Sequence, residues 1–157
     1  MKSYKIRKAT WDNKKRLIEI ETAKNSFSLP FAKLMTSPTS GNPIEELYVD
    51  KELASTAITY HLKDGSVDSV PLDAFLDFNK DPDYLREAEM HRLTILANKL
   101  LKESGISKRE ICRRMETSMS QLARILDTSN YSKTFDQLIK LFTIMGTEVK
   151  IEVHNVA

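Results

Sequence analysis

The 157-residue chain lacks the features on which several classes of protein depend. Its single cysteine, Cys112, excludes an internal disulfide, and without further cysteines or a histidine cluster nothing indicates a structural zinc site. No segment approaches the roughly 18 consecutive apolar residues of a membrane-spanning helix, and the N-terminus has no apolar core typical of a signal peptide. We therefore expect a cytoplasmic protein with no membrane partner, no metal and no other cofactor.

Patterns typical of enzymes are also missing. The sequence contains no nucleophile elbow, no glycine-rich phosphate-binding loop and no paired metal-binding motif. His61, His91 and His154 lie in three different predicted elements, without metal-ligand spacing. We predict that the protein is not an enzyme and has no catalytic residues. The alternative, a nucleic-acid enzyme or its accessory subunit, predicts metal-dependent turnover in a nuclease assay.

Charge is nearly balanced over the whole chain but not along it. The net charge of +2 does not by itself indicate a nucleic-acid partner. Between residues 102 and 133, however, seven basic residues stand against four acidic ones. One segment of the sequence is therefore locally basic.

The first half of the sequence is typical of a β-rich domain. From residue 4 to about residue 76, short segments rich in β-branched and aromatic residues alternate with turns, which predicts a series of strands. Asp64-Gly65 is the clearest hairpin turn, because Gly tolerates the positive φ that a tight turn requires. Residues 35–43, MTSPTSGNP, are predicted to form a true loop.

Asp81-Pro82 marks a change to helical periodicity. Asp is a good N-cap, and Pro is favoured in the first turn of a helix because its missing N–H costs nothing there. We therefore predict an α+β fold, with a β-rich domain over residues 1–80 and a helical domain over residues 81–157.

Four helices and a strand are predicted in the second domain. Apolar residues at three- and four-residue intervals indicate a long helix that ends before Gly105, followed by three short helices. The short helices are predicted at residues 107–115, 118–126 and 134–145. Polar and apolar residues then alternate over residues 148–153, which predicts a C-terminal strand. Its apolar face consists of Val149, Ile151 and Val153.

Two of the short helices have the spacing of a helix-turn-helix. Segments 107–110 and 118–121 each have the sequence of a capping box, in which a serine and a Glu or Gln bond to each other's backbone N–H groups. The two helix starts are 11 residues apart, which leaves room for one helix of about two turns and a tight break at Glu116-Thr117.

Apolar side chains are expected to pack these two helices together. Ile111 and Met115 fall on one face of the first helix, and the second helix has an apolar stripe that can meet them. The stripe consists of Leu122, Ile125 and Leu126. Cys112 is small enough to lie where the helices approach most closely.

The opposite face of the second helix is predicted to read DNA bases. An Arg can bond guanine O6 and N7 together, a Gln can pair with adenine, and a Met can touch the methyl group of thymine. The base-reading residues are predicted to be Ser118, Met119, Ser120, Gln121 and Arg124.

The segment SKREICRRMETSMSQLARIL resembles the helix-turn-helix of the Xre/Cro-like family, lambda repressor-like in fold, and within it the HigA-type antitoxins. The resemblance covers about residues 93–153, and its most specific element is the arrangement of Lys108, Cys112, Leu122 and Ile125. It implies sequence-specific binding to double-stranded DNA by a repressor or autoregulator and, for an antitoxin, a cognate toxin protein as partner. It further implies a phosphate contact from Lys108 and base contacts from Met119, Ser120, Gln121 and Arg124. The family usually has glycine where this chain has Glu116, and an apolar residue at the position of Thr117.

Phosphate contacts are expected from helix starts and loops that flank the second helix. There a phosphate would also meet backbone N–H groups and the positive end of a helix dipole. The predicted phosphate-binding residues are Lys108, Arg109, Asn130, Ser132 and Lys133. Arg113 and Arg114 are expected to be solvated, because they point away from the recognition helix.

We predict a homodimer, because a single helix-turn-helix makes too few base contacts for useful specificity and such modules usually read two half-sites. Val149, Ile151 and Val153 would pair the terminal strands of two copies. Two alternatives stay open. In one, the β-rich domain binds a partner protein, with the 35–43 loop as a contact; in the other, the helices are a structural bundle.

Overall fold

The structure is a computed structural model in which residues 4–155 are described. Six strands come first along the chain and the main helices follow, so the predicted α+β fold is confirmed. The chain divides into two compact units, Lys2–Leu85 and Arg86–Ala157, which we name the β-rich unit and the helical unit. The division falls inside a long helix, a few residues after the predicted boundary at residue 80.

The β-rich unit consists of two antiparallel sheets of three strands each. The first sheet contains, in spatial order, β1 (Lys8–Asp12), β2 (Leu17–Glu21) and β3 (Ser26–Pro30). The second contains, in spatial order, β4 (Ile44–Val49), β5 (Ala57–Leu62) and β6 (Val67–Pro71). A single turn of 3₁₀ helix, Phe31–Lys33, follows β3.

The central strand β5 supplies much of the core of this unit. The alternation of its sequence predicts that Ile58, Tyr60 and Leu62 face inward, and all three are buried. Thr59 lies between them and is buried as well, and its hydroxyl is satisfied by donating to Asp50 Oδ2 at 2.8 Å. This strand is therefore covered on both faces.

The Asp64-Gly65 turn connects β5 to β6 as predicted. Gly65 has a φ of 87°, in the region that glycine adopts without steric cost. Asp64 Oδ1 accepts a hydrogen bond from the backbone N–H of Ser66 at 2.8 Å, which closes the turn.

The prediction that strands continue to residue 76 is wrong at its end. A short helix, α1, spans Leu72–Phe78 directly after β6. Leu72, Phe75 and Leu76 lie at helical spacing, and all three are buried. Seven residues give too short a pattern to separate a helix from a buried strand by periodicity alone, so packing decides the conformation here.

Four further helices follow, at the predicted positions. They are α2 (Pro82–Ser104), α3 (Lys108–Met115), α4 (Met119–Leu126) and α5 (Phe135–Ile144). Asp81 Oδ1 accepts from the backbone N–H of Tyr84 at 2.9 Å, which confirms Asp81 as the N-cap of α2. The buried core of the helical unit consists of Met90, Ala97, Leu101, Ile111, Cys112, Met115, Leu122, Ile125, Leu138, Leu141 and Phe142.

The predicted C-terminal strand is not formed in the single chain. Residues 147–155 have no regular secondary structure, and Val149, Ile151 and Val153 are all exposed. A strand requires a neighbouring backbone for its hydrogen bonds, and no described strand of this chain pairs with the segment. The alternating sequence is therefore present without the structure that it favours.

Candidate nucleic-acid interface

Two serine caps define the starts of α3 and α4. Ser107 Oγ accepts from the backbone N–H of Glu110 at 3.2 Å, and Ser118 Oγ accepts from that of Gln121 at 3.1 Å. The caps are thus at the predicted residues. Each predicted capping box is incomplete, however, because the side chain of Glu110 or Gln121 does not accept a bond from the backbone N–H of its serine. The complete capping box among the described helices is at the start of α5, between Thr134 and Gln137.

The break between α3 and α4 lies at Glu116, as predicted. This residue has φ 56° and ψ 46°, the left-handed conformation that ends a helix. The following N–H, that of Thr117, donates to the carbonyl oxygen of Cys112 at 3.0 Å. A non-glycine residue adopts this conformation at a cost of roughly 1 to 2 kcal/mol, so the corner is formed against a local preference. Packing of the two helices against each other offsets that cost.

The contact between α3 and α4 is apolar and tightly buried. Ile111 is fully buried, and Leu122 and Ile125 on the facing side of α4 expose 1% and 3% of their surface. Cys112 Sγ lies 3.4 Å from Met119 Sδ, so the small cysteine is at the point where the two helices meet. The expected roles of these residues in packing are confirmed.

The opposite side of α4 is left exposed. The five residues predicted to read bases are all exposed: Ser118, Met119, Ser120, Gln121 and Arg124. The side chains of Gln121 and Arg124 form no hydrogen bond or ion pair with another described residue. Ser118 differs from the others, because its hydroxyl oxygen accepts the N-cap bond of α4.

The C-terminal end of α4 is held by three side chains, none of which the sequence predicts to cap this helix. Asn98 Nδ2 donates to Leu126 O at 2.9 Å, and Asn130 Nδ2 donates to Arg124 O at 2.9 Å. These bonds satisfy carbonyl groups that have no partner within the helix. Helix α4 is therefore anchored at both ends, with its exposed face fixed in direction.

The third anchor is Lys133, and it corrects one of the predicted phosphate contacts. Lys133 exposes only 4% of its surface, and its Nζ donates to the carbonyl oxygens of Ile125 and Asp127, both at 2.7 Å. Burial lowers the pKa of this ammonium, and the nearby Asp127 opposes the change. Its position matches the negative end of the α4 dipole, so it stabilises the helix and is not available to a phosphate.

Two further predicted phosphate residues are used within the loop before α5. Asn130 bonds α4 through its Nδ2, while its Oδ1 accepts from the N–H and the hydroxyl of Ser132 at 3.1 and 2.6 Å. The Asn130 side chain is thus committed to the loop, which corrects its predicted role. Ser132 is exposed, but its hydroxyl donates to Asn130.

The exposed cations around α3 fall into two groups. Arg113 and Arg114 both bind the Glu110 carboxylate, at 2.6 and 2.8 Å, and these two guanidinium groups lower the pKa of Glu110 to about 2. Lys108 and Arg109 are exposed at the start of α3, and neither forms an ion pair with a described residue. Arg124 is likewise exposed and forms no ion pair with a described residue, so all three can neutralise another anion.

The described residues contain neither a metal-binding cluster nor a membrane-spanning helix. Among the described residues, no group of three or more histidine, cysteine, aspartate and glutamate side chains could hold a metal ion. In the same part of the chain, no helix is both long enough and apolar enough to cross a membrane. No family model, no curated protein and no solved structure matches this chain.

Proposed function

We propose that the helical unit binds double-stranded DNA in a sequence-specific manner, and that the protein is a cytoplasmic transcriptional regulator. The observation that carries the proposal is the arrangement of α4. Its apolar stripe is buried against α3, both of its ends are capped by side chains, and its polar face is exposed beside unpaired cations. A rigid short helix with an exposed polar face is suited to the major groove, which admits an α-helix.

Base recognition is assigned to the exposed side chains of α4. Arg124 can donate two hydrogen bonds to guanine O6 and N7, and Gln121 can pair with the N6 and N7 edge of adenine. Met119 exposes 51% of its surface at the start of the helix, where a thymine methyl group could contact it. Gln121 is well suited to this role because its side chain does not return to the Ser118 backbone as a full capping box would require.

Orientation on the duplex is assigned to Lys108 and Arg109. Phosphate contacts position a protein on DNA without reading sequence, and each neutralised phosphate contributes to the salt dependence of binding. Arg113 and Arg114 are excluded from this role because Glu110 already neutralises part of their charge. The expected result of binding is repression or autoregulation by occupation of a promoter, as in the helix-turn-helix regulators that the segment resembles.

The proposal is tested by selecting bound fragments from a pool of random DNA duplexes with the purified full-length chain. We expect enrichment of a defined motif. The variant Gln121→Ala/Arg124→Ala should lose that enrichment, whereas Lys63→Ala, which changes an exposed residue of the β-rich unit, should keep it. A wild-type chain that retains no sequence above the level of the unselected pool would contradict the proposal.

A further inference from the structure

Charge in the first half of the chain is strongly unequal along the sequence. Residues 1–33, which include the first sheet, hold nine basic residues against three acidic ones. Residues 34–85, which include the second sheet, hold three basic residues against ten acidic ones. The nearly balanced total therefore conceals a basic part of the β-rich unit, and the proposed function uses none of its cations.

The fold gathers four of these cations at one end of the first sheet. Three lie in the turn between β1 and β2, and the fourth lies just after β3. The antiparallel register of β2 and β3 brings these two segments together, and the backbone N–H of Phe31 donates to Arg16 O at 2.9 Å. We name residues 13–16 and 31–43 the basic end of the unit. Its four cations are Lys14, Lys15, Arg16 and Lys33.

The 35–43 loop completes the basic end. Arg16 Nη2 donates to Pro38 O at 3.2 Å, which holds the loop against the turn between β1 and β2. No residue from 34 to 44 is charged, so the loop adds no carboxylate to this surface. It adds exposed hydroxyl groups instead, and hydroxyl groups commonly contact phosphate oxygens. The residues that carry them include Thr39 and Ser40.

Three of the four cations are available to a ligand. Lys14, Lys15 and Lys33 are exposed, and none of their ammonium groups forms an ion pair or a hydrogen bond with a described residue. Arg16 differs from them, because its guanidinium group is bonded to the loop. Asp12 Oδ1 accepts from the backbone N–H groups of Lys14 and Lys15 at 2.8 and 3.0 Å, so this carboxylate stabilises the turn that presents the two lysines.

Acidic residues of the second sheet touch the loop from another side. Asp68 Oδ2 accepts from the backbone N–H of Thr36 at 3.3 Å, and the backbone N–H of Asp64 donates to Asn42 Oδ1 at 2.9 Å. Neither carboxylate forms an ion pair with a described lysine. The acidic second sheet would repel a polyanion, so we expect such a ligand to lie on the side of the first sheet.

The chemistry of the basic end favours the phosphate backbone of a DNA duplex over a single strand or a protein. Aromatic side chains near this end are not free to stack on bases: Trp11 is half-buried, with its Nε1 donating to Ile44 O at 3.2 Å, and Phe31 exposes 1% of its surface. Met35 is the large apolar side chain that the loop exposes, which is too little for the apolar core of a protein interface. Lysines and hydroxyl groups, by contrast, contact phosphates without reading bases.

We propose that the basic end is a second surface for double-stranded DNA, which Lys14, Lys15 and Lys33 bind through backbone phosphates whatever the sequence. The inference goes beyond the proposed function, because it concerns the other unit and requires neither α4 nor a particular base sequence. A contact of this kind raises the affinity for every duplex and steepens the salt dependence of binding, because each neutralised phosphate releases counterions.

The test uses the full-length chain with its α4 surface disabled. This background variant should still bind a duplex of arbitrary sequence at low salt. Adding Lys14→Ala/Lys15→Ala/Lys33→Ala should weaken that binding about tenfold or more and lower the slope of log K against log salt by about 2 to 3, since each phosphate contact contributes about 0.9. Fluorescence anisotropy over a salt series measures both quantities. The background substitutions are Lys108→Ala, Arg109→Ala, Gln121→Ala and Arg124→Ala.

A matched control separates the position of the lysines from the net charge of the protein. Lys5→Ala/Lys24→Ala/Lys51→Ala removes the same charge from exposed residues at the opposite end of the strands, and it should change the slope by less than about one. Replacing the three lysines of the basic end by arginine keeps their charge and should keep the binding. Thermal unfolding of each variant verifies that it is folded.

Several outcomes would overturn the proposal. They are a background variant that binds no duplex, equal losses in the two triple alanine variants, and tighter binding to a single strand or to polyglutamate of equal charge than to the duplex. Because α4 is disabled throughout, these results do not depend on whether the wild-type chain selects a sequence motif. Failure of this proposal and failure of the proposed function are therefore separate results.

Discussion

The Nζ of Lys133 lies 2.7 Å from the carbonyl oxygen of Ile125, eight residues earlier in the chain. This bond joins the loop before α5 to the last turn of α4, so a residue predicted from the sequence to contact phosphate instead caps the C-terminal end of α4. The exposed face of α4 is therefore held in place in part by an ammonium group that is almost fully buried.

Replacing Lys133 by Met should destabilise the protein by about 2 kcal/mol, because two buried carbonyl groups lose their partner. Urea unfolding followed by circular dichroism measures the change. Lys140→Met is the matched control: Lys140 Nζ donates to Met115 O at 3.1 Å but the residue is exposed, so water can replace it and the loss should stay near 0.5 kcal/mol. Equal losses in both variants would show that burial of Lys133 does not matter.

Glu116→Gly should stabilise the protein by about 0.5 to 1 kcal/mol. The left-handed conformation of Glu116 is costly for a residue with a Cβ and not for glycine. The net gain is smaller than this cost, because glycine also raises the conformational entropy of the unfolded chain. Thermal unfolding compares this variant with Glu116→Ala, which removes the carboxylate but keeps the strain and should show no such gain. If the glycine variant unfolds at a lower temperature than wild type, the corner is not strained as we describe.

The two assigned roles at the DNA interface should differ in their salt dependence. Gln121→Ala and Arg124→Ala should each weaken binding to the selected site by about 1 to 3 kcal/mol, and Gln121→Ala, which removes no charge, should leave non-specific binding unchanged. Lys108→Ala should weaken binding to all sequences alike and lower the slope of log K against log salt by about one. Fluorescence anisotropy over a salt series measures both effects.

Lys133→Met is the control for Lys108→Ala in the same salt series. At temperatures where the variant is folded, its salt slope should equal that of wild type, because its ammonium is bound to backbone carbonyls. A slope reduced as far as that of Lys108→Ala would restore Lys133 as a phosphate contact.

Stability should fall at alkaline pH because of Tyr60. Burial, together with the nearby Asp68 carboxylate, raises the pKa of the Tyr60 phenol to about 12, and its hydroxyl donates to Thr36 O at 2.7 Å. Because the pKa of Tyr60 is higher in the folded state, the stability that its neutral phenol contributes is fully present below the unfolded pKa of about 10. That stability is lost as the pH rises towards 12. Urea midpoints between pH 8 and pH 11.5 should therefore decline.

Two phenylalanine variants identify the source of that decline. Tyr60→Phe removes the phenol and should flatten the alkaline loss, at the cost of the bond to Thr36. Tyr48→Phe changes a tyrosine that is 42% exposed and should leave the decline as it is in wild type. A decline of equal size in Tyr60→Phe would assign the alkaline loss to other groups.

Local patterns were sufficient for the elements whose signals lie within a few residues of each other. The caps at Ser107 and Ser118, the corner at Glu116 and the Asp64-Gly65 turn all depend on a side chain and the backbone beside it. Helix α1 was missed because seven residues between a strand and a loop carry too short a period. The capping boxes at Ser107 and Ser118 were predicted in full but formed in half; at the first, Glu110 instead binds two arginines that lie one turn further along α3.

The sequence by itself determined that a β-rich half precedes four helices, which faces of α3 and α4 are buried, and which residues α4 exposes, because periodicity and capping act over short distances along the chain. Only the tertiary structure decided what Lys133 and Asn130 do. Their partners are carbonyl groups that the fold leaves unpaired at the end of another element, and a backbone carbonyl has no signature in the amino-acid sequence. The strand after α5 shows the same dependence, since its alternation is local but its hydrogen bonds require a second backbone.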